Sequence, residues 1–266
     1  MIIMILEEIV RHKRNELAQF KSRKPLNILQ DTIRELPPAR DFKKALLQSS
    51  SPNASKSISI IAEVKKASPS RGVIRSDFNP VEIAKEYQEN GAVAISVLTD
   101  KKYFQGELEY LKQVKKATSI PILNKDFIID VYQIYQARIY SADAVLLIAA
   151  ILSDAELTEY INLAHQLALS ALVEVHTLEE LKRVLSTDAQ IIGINNRDLT
   201  NFQVSTNTSL ELVKHIPDDK IVVSESGIDN RDIILSLQKE GIDAFLIGEA
   251  LIKEKDIGKK LRELLN

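Results

Sequence analysis

The stretch AVLLIAAILSDAELTEYINLAHQLALSALVEV, residues 144–175, contains the alternation that decides the fold. It opens with an apolar run typical of a buried strand, Ala144 to Ile148, and closes with another, Ala171 to Val175. Between them, Ser153 and Glu156 have the spacing of a capping box, which predicts the start of a helix. The apolar residues that share one face of this helix are Leu157, Tyr160, Ile161, Ala164 and Leu167. The stretch therefore predicts a strand, a helix packed on a sheet and a second strand.

The same unit recurs along the chain from residue 58 onward. Short apolar runs alternate with stretches of helical period, which is typical of βα units around a parallel sheet. The predicted strands are Ile58 to Val64, Ala92 to Leu98, Ile120 to Leu123, Ala144 to Ile148, Ala171 to Val175, Ile191 to Ile194, Ile221 to Val223 and Ala244 to Ile247. Eight strands in about 210 residues match a (β/α)8 barrel. We predict an α/β fold, a TIM barrel over residues 58–266, within a single domain spanning residues 1–266.

Residues 1–57 precede the first strand and form a predicted helical extension. One helix is predicted over Ile5 to Phe20 and a shorter one over Phe42 to Gln48, separated by Pro37 and Pro38. The serine-rich segment Ser49 to Ser59 is interpreted as a linker. Two placements are open, because such helices either close the bottom of a barrel or help to cover its catalytic mouth.

Composition excludes several classes of function. The 266 residues carry 35 basic and 37 acidic side chains, so no strong positive field attracts nucleic acid or an anionic membrane. The absence of cysteine excludes disulfides and thiolate metal sites, and it favours a cytoplasmic location. The longest uncharged apolar run, Ala144 to Leu152, is too short for the roughly 20 residues of a membrane-spanning helix. The expected partner is therefore a small molecule.

Ionisable side chains follow the predicted strands, at the end where barrels of this kind carry their active sites. Glu63 and Lys65 fall on one side of the first strand by alternation, and burying them is costly unless they are paired or used. Lys125 follows the third strand, and Glu174 interrupts the apolar alternation of the fifth. We expect burial to raise the pKa of Glu174, which suits proton transfer near neutrality. A solvated lysine and a structural ion pair are the alternative interpretations of Lys125 and Glu174.

Four further polar residues follow the fifth and sixth predicted strands, and they are interpreted differently. His176 is expected to point to the opposite face of its strand from Glu174, and so to take no part in catalysis. After the sixth strand, Asn195 is the better candidate for an inward position. Arg197 and Asp198 are more simply explained as a structural pair within the loop.

Glycines follow the last two predicted strands, in SESGI at 224–228 and FLIGEA at 245–250. Gly227 and Gly248 permit a close approach of the backbone, and amide groups at the following helix N-termini attract an anion. This is the standard location of a phosphate site in such barrels. Because backbone N–H groups would be the donors, the charge of Glu249 is expected to point away from the ligand.

In chain order, these segments resemble the indole-3-glycerol-phosphate synthase family. The matching blocks are ILEEIVRHKRNEL at 5–17, IAEVKKASPSRG at 61–72, PILNKDFIID at 121–130, ALVEVHT at 171–177, GINNRDL at 193–199, SESGI at 224–228 and LIGEALI at 246–252. Agreement of seven blocks in order is far more specific than agreement of one. The resemblance implies a carbon–carbon lyase of tryptophan biosynthesis that closes an indole ring with loss of carbon dioxide and water. It also implies that no metal or organic cofactor is needed.

The resemblance further implies roles toward the substrate, 1-(2-carboxyphenylamino)-1-deoxyribulose 5-phosphate. Lys125 matches the general acid, and Lys65 matches the lysine that binds the substrate carboxylate. The other matching catalytic positions are Glu63, Glu174, Asn195 and Ser226. The positions that match the phosphate site are Ser68, Gly227, Gly248 and Glu249. The positions that match the apolar slot for the aromatic ring are Phe104, Phe127, Leu146 and Leu199.

Asn124 departs from the family pattern, because arginine is common at this place just before Lys125. By alternation, its side chain should point away from the ligand. An arginine that supports a loop or helix across the mouth would have no counterpart here, so loop ordering would differ from that of relatives.

Two other functions remain as alternatives. A sugar-phosphate isomerase of the tryptophan or histidine pathway would share the glycines after the last strands, but not the EVKKASPS and NKDF blocks. A non-catalytic barrel that senses a phosphorylated ligand would be expected to lack the proton-transfer groups that this chain retains. The chain is expected to act as a monomer, alone or in association with other enzymes of the tryptophan pathway.

Overall fold

Eight parallel strands close into a barrel in the computed structural model, which describes residues 3–47, 57–198 and 203–266. The strands are β1 Ser59–Val64, β2 Ala94–Leu98, β3 Ile122–Lys125, β4 Ala144–Ile148, β5 Ser170–Val175, β6 Ile191–Asn195, β7 Ile221–Glu225 and β8 Ala244–Ile247. Each strand pairs with the next along the chain, and β8 returns to pair with β1. The predicted (β/α)8 barrel is confirmed.

Three strands continue beyond the carboxyl ends that the apolar pattern predicts. β3 ends at Lys125, β6 at Asn195 and β7 at Glu225. The ladder continues through these polar residues, with Leu98 opposite Lys125 and Asn195 opposite Glu225. These side chains therefore project from the sheet itself, which holds them more rigidly than a loop would.

The helices lie between the strands and in the N-terminal extension. They are α1 Ile3–Arg23, α2 Leu26–Ile33, α3 Phe42–Leu47, α4 Pro80–Glu89, α5 Lys101–Phe104, α6 Glu109–Ala117, α7 Val131–Ile139, α8 Asp154–Gln166, α9 Leu178–Leu185, α10 Asn207–Leu212, α11 Arg231–Lys239, α12 Glu249–Ile252 and α13 Ile257–Leu265. A short hairpin pairs Ala67–Ser68 with Gly72–Val73 after β1. Among the helices described, none has the length and apolar character needed to cross a membrane.

The predicted capping box at the start of α8 is confirmed. The hydroxyl of Ser153 accepts a hydrogen bond from the backbone N–H of Glu156 at 3.3 Å. In return, the carboxylate of Glu156 accepts from the backbone N–H of Ser153 at 2.8 Å. Leu157 and Ile161 on the following turns are fully buried, so α8 packs on the barrel as its apolar face predicts.

The bottom of the barrel is closed by α3. Phe42 and Leu46 are buried in the same cluster as inward residues at the starts of the strands, such as Ile61 and Ile191. The hydroxyl of Ser59 donates a hydrogen bond to the carbonyl of Leu46 at 2.8 Å, which fixes the helix beneath β1. One of the two placements considered for the extension therefore applies to α3.

The opposite end of the barrel is partly covered by α1, so the second placement applies as well. Ile5, Leu6 and Ile9 on its first turns line the cavity at the carboxyl ends of the strands. α1 is longer than predicted, and α2, which packs against α7, is a helix that the sequence analysis did not predict. Most of the predicted linker, as well as Gln48, lies outside the described residues.

Candidate active site

A cavity of about 550 Å³ opens at the carboxyl ends of the barrel strands. Its volume is in the range of sites that bind small molecules. The predicted site residues that line it are Glu63, Lys65, Ser68, Phe104, Lys125, Phe127, Leu146, Glu174, Asn195, Ser226, Gly227, Gly248 and Glu249. The remaining predicted residue, Leu199, lies outside the described residues. Closure of the barrel therefore brings every described candidate to one place.

Lys125 lies at the centre of the cavity wall between two buried carboxylates. Its Nζ donates hydrogen bonds to Glu174 Oε2 at 2.9 Å and to Glu225 Oε2 at 2.7 Å. Burial alone would lower the pKa of Lys125, but the charges of Glu174, Glu225 and Glu63 outweigh this effect and raise the pKa above its ordinary value. Lys125 is therefore a fixed cation that faces the cavity.

Glu225 lines the cavity but is not among the residues predicted from the sequence. In the segment SESGI, the sequence analysis singles out the glycine and the second serine and passes over the glutamate. The signal was available, since Ile221 and Val223 belong to the cluster inside the barrel and alternation places Glu225 with them. Burial, with a further contribution from Glu174, raises the pKa of Glu225 to about 7, and Lys125 offsets only part of this. Among the described residues, none donates a hydrogen bond to its Oε1.

Two expectations for the fifth strand are wrong. The pKa of Glu174 is lowered, because the charges of Lys125 and His176 outweigh the effect of burial. His176 shares the face of Glu174, since two residues along a strand complete one alternation. Its Nε2 lies 3.3 Å from Glu174 Oε1, and its Nδ1 lies 3.2 Å from Glu180 Oε2. Although burial alone lowers the pKa of His176, these carboxylates raise it to about 10.

Glu63 and Lys65 form an ion pair on the cavity wall, with 2.6 Å between Oε1 and Nζ. The pair occupies space that stays free because the residue directly after β8 is a glycine. A Cβ atom on Gly248 would clash with Glu63 Oε1 and lie 3.0 Å from Lys65 Nζ. A glycine at position 248 therefore leaves room for the Glu63–Lys65 ion pair. The sequence suggests a second reason for it, which is the close approach of a phosphate to the backbone.

A tight turn after β7 shapes one side of the predicted phosphate site. Ser226 and Gly227 both have left-handed backbone conformations, with φ of 67° and 74°. A Cβ atom on Gly227 would lie 2.6 Å from Val204 Cγ1, so a side chain is excluded there. The buried amide of Asn196 donates a hydrogen bond to the carbonyl of Ser226 at 3.0 Å and holds the turn.

The side chain of Glu249 does not point away from the cavity, contrary to expectation. Its Oε1 lies 3.1 Å from Arg71 Nε, and its Oε2 lies 3.8 Å from Arg197 Nη2. The two guanidinium groups attract the carboxylate across the mouth. Arg197, for which the sequence favours a structural pair with Asp198, thus lines the cavity as well. Both arginines are positioned to meet an anion.

An apolar slot occupies the opposite part of the cavity. The rings of Phe104 and Phe127 are tilted against each other with centroids 6.1 Å apart. Leu146 of β4 belongs to the apolar cluster against which Phe127 packs, and Ile5 and Leu6 of α1 line the same cavity. A flat aromatic ring fits such a surface because stacked and tilted arrangements of rings are favourable.

Asn124 is buried beside the site but does not line the cavity. Its Nδ2 donates a hydrogen bond to Thr99 Oγ1 at 2.8 Å, and this hydroxyl in turn donates to Asp126 Oδ2 at 2.5 Å.

Within the described ranges, no group of three or more histidine, aspartate and glutamate side chains is arranged to hold a metal ion.

The fold and the site together define a class of protein, a (β/α)8-barrel enzyme with buried lysines and carboxylates in a cavity at the carboxyl ends of its strands. The family model described as indole-3-glycerol phosphate synthase matches residues 6–264. The chain is 49% identical to the indole-3-glycerol phosphate synthase of Alkaliphilus metalliredigens, over 98% of both chains. It is 48% identical to that of Dehalococcoides mccartyi, over 98% of this chain and 100% of the relative.

The chain belongs to the indole-3-glycerol phosphate synthase family, whose members are decarboxylating lyases of tryptophan biosynthesis. A more distant similarity concerns the fold alone. Thiamine phosphate pyrophosphorylase from Pyrococcus furiosus superposes with a TM-score of 0.57 at 19% identity, over 78% of this chain and 93% of that chain. Membership of this family favours a lyase over the sugar-phosphate isomerase and the ligand sensor.

Proposed function

We propose that Lys125 is the general acid that closes the indole ring of 1-(2-carboxyphenylamino)-1-deoxyribulose 5-phosphate, yielding indole-3-glycerol phosphate, carbon dioxide and water. The observation that carries this proposal is the position of its Nζ, which faces the cavity within 3 Å of two buried carboxylates, 2.9 Å from Glu174 and 2.7 Å from Glu225. Cationic and acidic groups fixed in this way stabilise charge that develops during the reaction.

Each part of the substrate has a complementary part of the cavity. The phosphate would bind to backbone groups of Gly227, Gly248 and Glu249, with Ser68 beside them. Arg197 supports this placement because it already lies near one carboxylate, that of Glu249. Backbone N–H groups and guanidinium groups are the usual partners of phosphate in proteins.

The anthranilate portion would occupy the apolar slot between Phe104 and Phe127, whose rings lie 6.1 Å apart. Leu146 and Leu199 are proposed to complete the slot. The substrate carboxylate would bind Lys65, which Glu63 orients through their 2.6 Å ion pair. Asn195 and Ser226 are proposed to hold the hydroxyl groups of the open-chain sugar.

The chemistry proceeds in three steps. The ring carbon that bears the carboxylate attacks the ketose carbonyl carbon, pushed by the anthranilate nitrogen, while Lys125 donates a proton to the carbonyl oxygen. The bond to the carboxylate then breaks, its electron pair restores the aromatic ring, and carbon dioxide leaves. Finally the new hydroxyl is protonated and leaves as water, while the carbon next to nitrogen loses a proton and completes the double bond.

Glu225 is the proposed acceptor of the proton lost in the last step. Its Oε1 has no hydrogen-bond donor among the described residues, and burial raises its pKa to about 7. A carboxylate with such a pKa exchanges protons readily near neutral pH. Glu174, whose pKa is lowered, would stay charged and orient Lys125 throughout.

The experiment that tests the function uses substrate labelled with ¹³C in the carboxyl group, in a buffer that contains a chelator. We expect one equivalent of labelled carbon dioxide for each indole formed, because loss of the carboxyl carbon is the step that restores the aromatic ring. An unlabelled gas phase, or an isomer that retains the carboxyl group, would contradict the proposal and favour an isomerase.

The wider organisation of the protein is also a proposal. A single domain over residues 1–266 is supported by the packing of α3 against the barrel bottom and of α1 over its mouth. A monomeric state, a cytoplasmic location and association with other enzymes of the tryptophan pathway stay predictions from the sequence.

A further inference from the structure

A buried charge cluster lies under α1 at the edge of the cavity. Lys13 Nζ is 2.9 Å from Asp100 Oδ2, 3.0 Å from Asp126 Oδ1 and 2.9 Å from Glu16 Oε2. The side chain of Lys13 is 4% exposed, and those of Asp100 and Asp126 are 1% and 9% exposed. None of the three steps described above uses Lys13.

The two aspartates hold the segments that carry the apolar slot. Asp100 follows β2 and caps α5, because its Oδ1 accepts from the backbone N–H of Tyr103 at 2.7 Å. α5 ends at Phe104, which forms one side of the slot. Asp126 directly follows Lys125, and its Oδ1 accepts from the backbone N–H of Phe127 at 2.8 Å.

Lys13 is the counter-ion that these aspartates share. Within residues 3–47, 57–198 and 203–266, no other lysine or arginine lies within ion-pair distance of Asp100 or Asp126. Both carboxylates approach one ammonium, so without it two buried negative charges would face each other. The charges of Asp126 and Asp100 outweigh burial, which alone lowers the pKa of Lys13, and raise that pKa. Lys13 therefore stays protonated.

We propose that Lys13 is a positioning residue, which links α1 to the segments that follow β2 and β3 and thereby aligns Phe104 and Phe127 for the substrate. This inference rests on the proposed function, because it assigns the slot to the aromatic ring. In this account α1 has two roles. It covers part of the mouth, and through Lys13 it neutralises the charges of Asp100 and Asp126 next to the apolar slot.

α1 offers a matched control. Lys21 lies two turns further along the helix and forms an ion pair with Asp130 at 2.6 Å. The side chains of this pair are 45% and 30% exposed. Asp130 caps α7 and is not among the residues that line the cavity. A general effect of removing a lysine–aspartate pair from α1 would therefore appear equally in Lys21→Met.

The test compares Lys13→Met, Lys13→Arg and Lys21→Met in steady-state kinetics, with unfolding followed by circular dichroism. We expect Lys13→Met to lower kcat/KM about 10-fold to 100-fold, mainly through KM, since misplacement of binding groups by about 1 Å has effects of this size. Lys13→Arg should recover most of the loss, and Lys21→Met should stay within about twofold of the wild type. A folded Lys13→Met enzyme with unchanged kcat and KM would overturn the proposal.

Hydrogen exchange separates this inference from the proposed function. The amide protons of Tyr103 and Phe127 should exchange at least about tenfold faster in Lys13→Met, whether or not the protein turns over the proposed substrate. Unchanged exchange at both amides would count against positioning. If Lys13→Met does not fold, a double variant that combines Lys13→Met with Asp100→Asn takes its place. This variant removes one charge of each sign, so it should fold, and the amide proton of Phe127 should exchange faster than in the wild type. Wild-type exchange in that variant would also overturn the proposal.

Discussion

Glu225 and Glu174 are buried side by side on Lys125, yet their environments shift their pKa values in opposite directions. Glu174 lies between two cations, since His176 Nε2 is 3.3 Å from one oxygen and Lys125 Nζ is 2.9 Å from the other. Within the described part of the chain, Glu225 has one cationic partner, Lys125, at 2.7 Å. Two carboxylates with separated pKa values can divide the tasks of holding a cation and exchanging a proton.

The pH dependence of kcat/KM should therefore report Glu225. Its pKa of about 7 means that the carboxylate is charged above neutrality and protonated below it. A base must be charged to accept a proton, so kcat/KM should fall as the pH drops through 7. Glu225→Gln should lower kcat by about 10²-fold to 10⁴-fold, and the fall of kcat/KM at acidic pH should disappear. Initial rates between about pH 5 and 9, which span about two pH units on either side of the pKa, measure both effects.

Glu240→Gln is the matched control, because Glu240 is exposed at the end of α11. Its profile should superimpose on that of the wild type. An acidic limb near pH 7 that persists in Glu225→Gln would show that another group titrates there.

At the residue scale, alternation predicted some of the site and failed elsewhere. It paired Glu63 with Lys65 correctly, because Lys65 directly follows the strand that carries Glu63 and continues its alternation. It could not predict the pKa of Glu174, which depends on Lys125 two strands away. The expectation that His176 faces away from Glu174 is wrong, because side chains two residues apart along a strand point to the same face.

The N-terminal extension shows how the elements divide the work. α3 seals the bottom of the barrel with Phe42 and Leu46, whereas α1 lies over the mouth at the other end. The sequence predicted both helices but not their places, because an amphipathic helix has no preference between two apolar ends of a barrel. Only packing against particular residues distinguishes them.

Phe42→Ala should therefore destabilise the protein without altering the site. The ring of Phe42 is fully buried, and its truncation should cost about 3–5 kcal/mol in the free energy of unfolding. Because the bottom of the barrel is remote from the cavity, KM should stay unchanged. Urea unfolding and steady-state kinetics at low temperature measure the two quantities.

Leu47 serves as the comparison, since it lies on the same helix and is 40% exposed. Leu47→Ala should lose much less stability. A change in KM for Phe42→Ala with no loss of stability would show that α3 acts on the mouth instead.

At the scale of the whole molecule, the repeat of strands and helices was sufficient to predict the barrel. The rule that active sites lie at the carboxyl ends of its strands then located the candidate residues. What the sequence could not supply were contacts across the mouth, such as that of Arg71, in the hairpin after β1, with Glu249 at the start of α12. These depend on how the loops fold over the mouth, and no periodic pattern encodes them.

The role of Lys125 is tested most directly by measuring the turnover of Lys125→Met. The fluorescence of the indole product reports turnover, because the protein contains no tryptophan that would fluoresce as well. We expect kcat to fall by at least about 10²-fold, while the affinity for indole-3-glycerol phosphate changes little, because the phosphate and ring contacts remain. Lys116→Met, which alters an exposed lysine on α6, should match the wild type. A folded Lys125→Met enzyme that turns over at the wild-type rate would contradict the central role of Lys125.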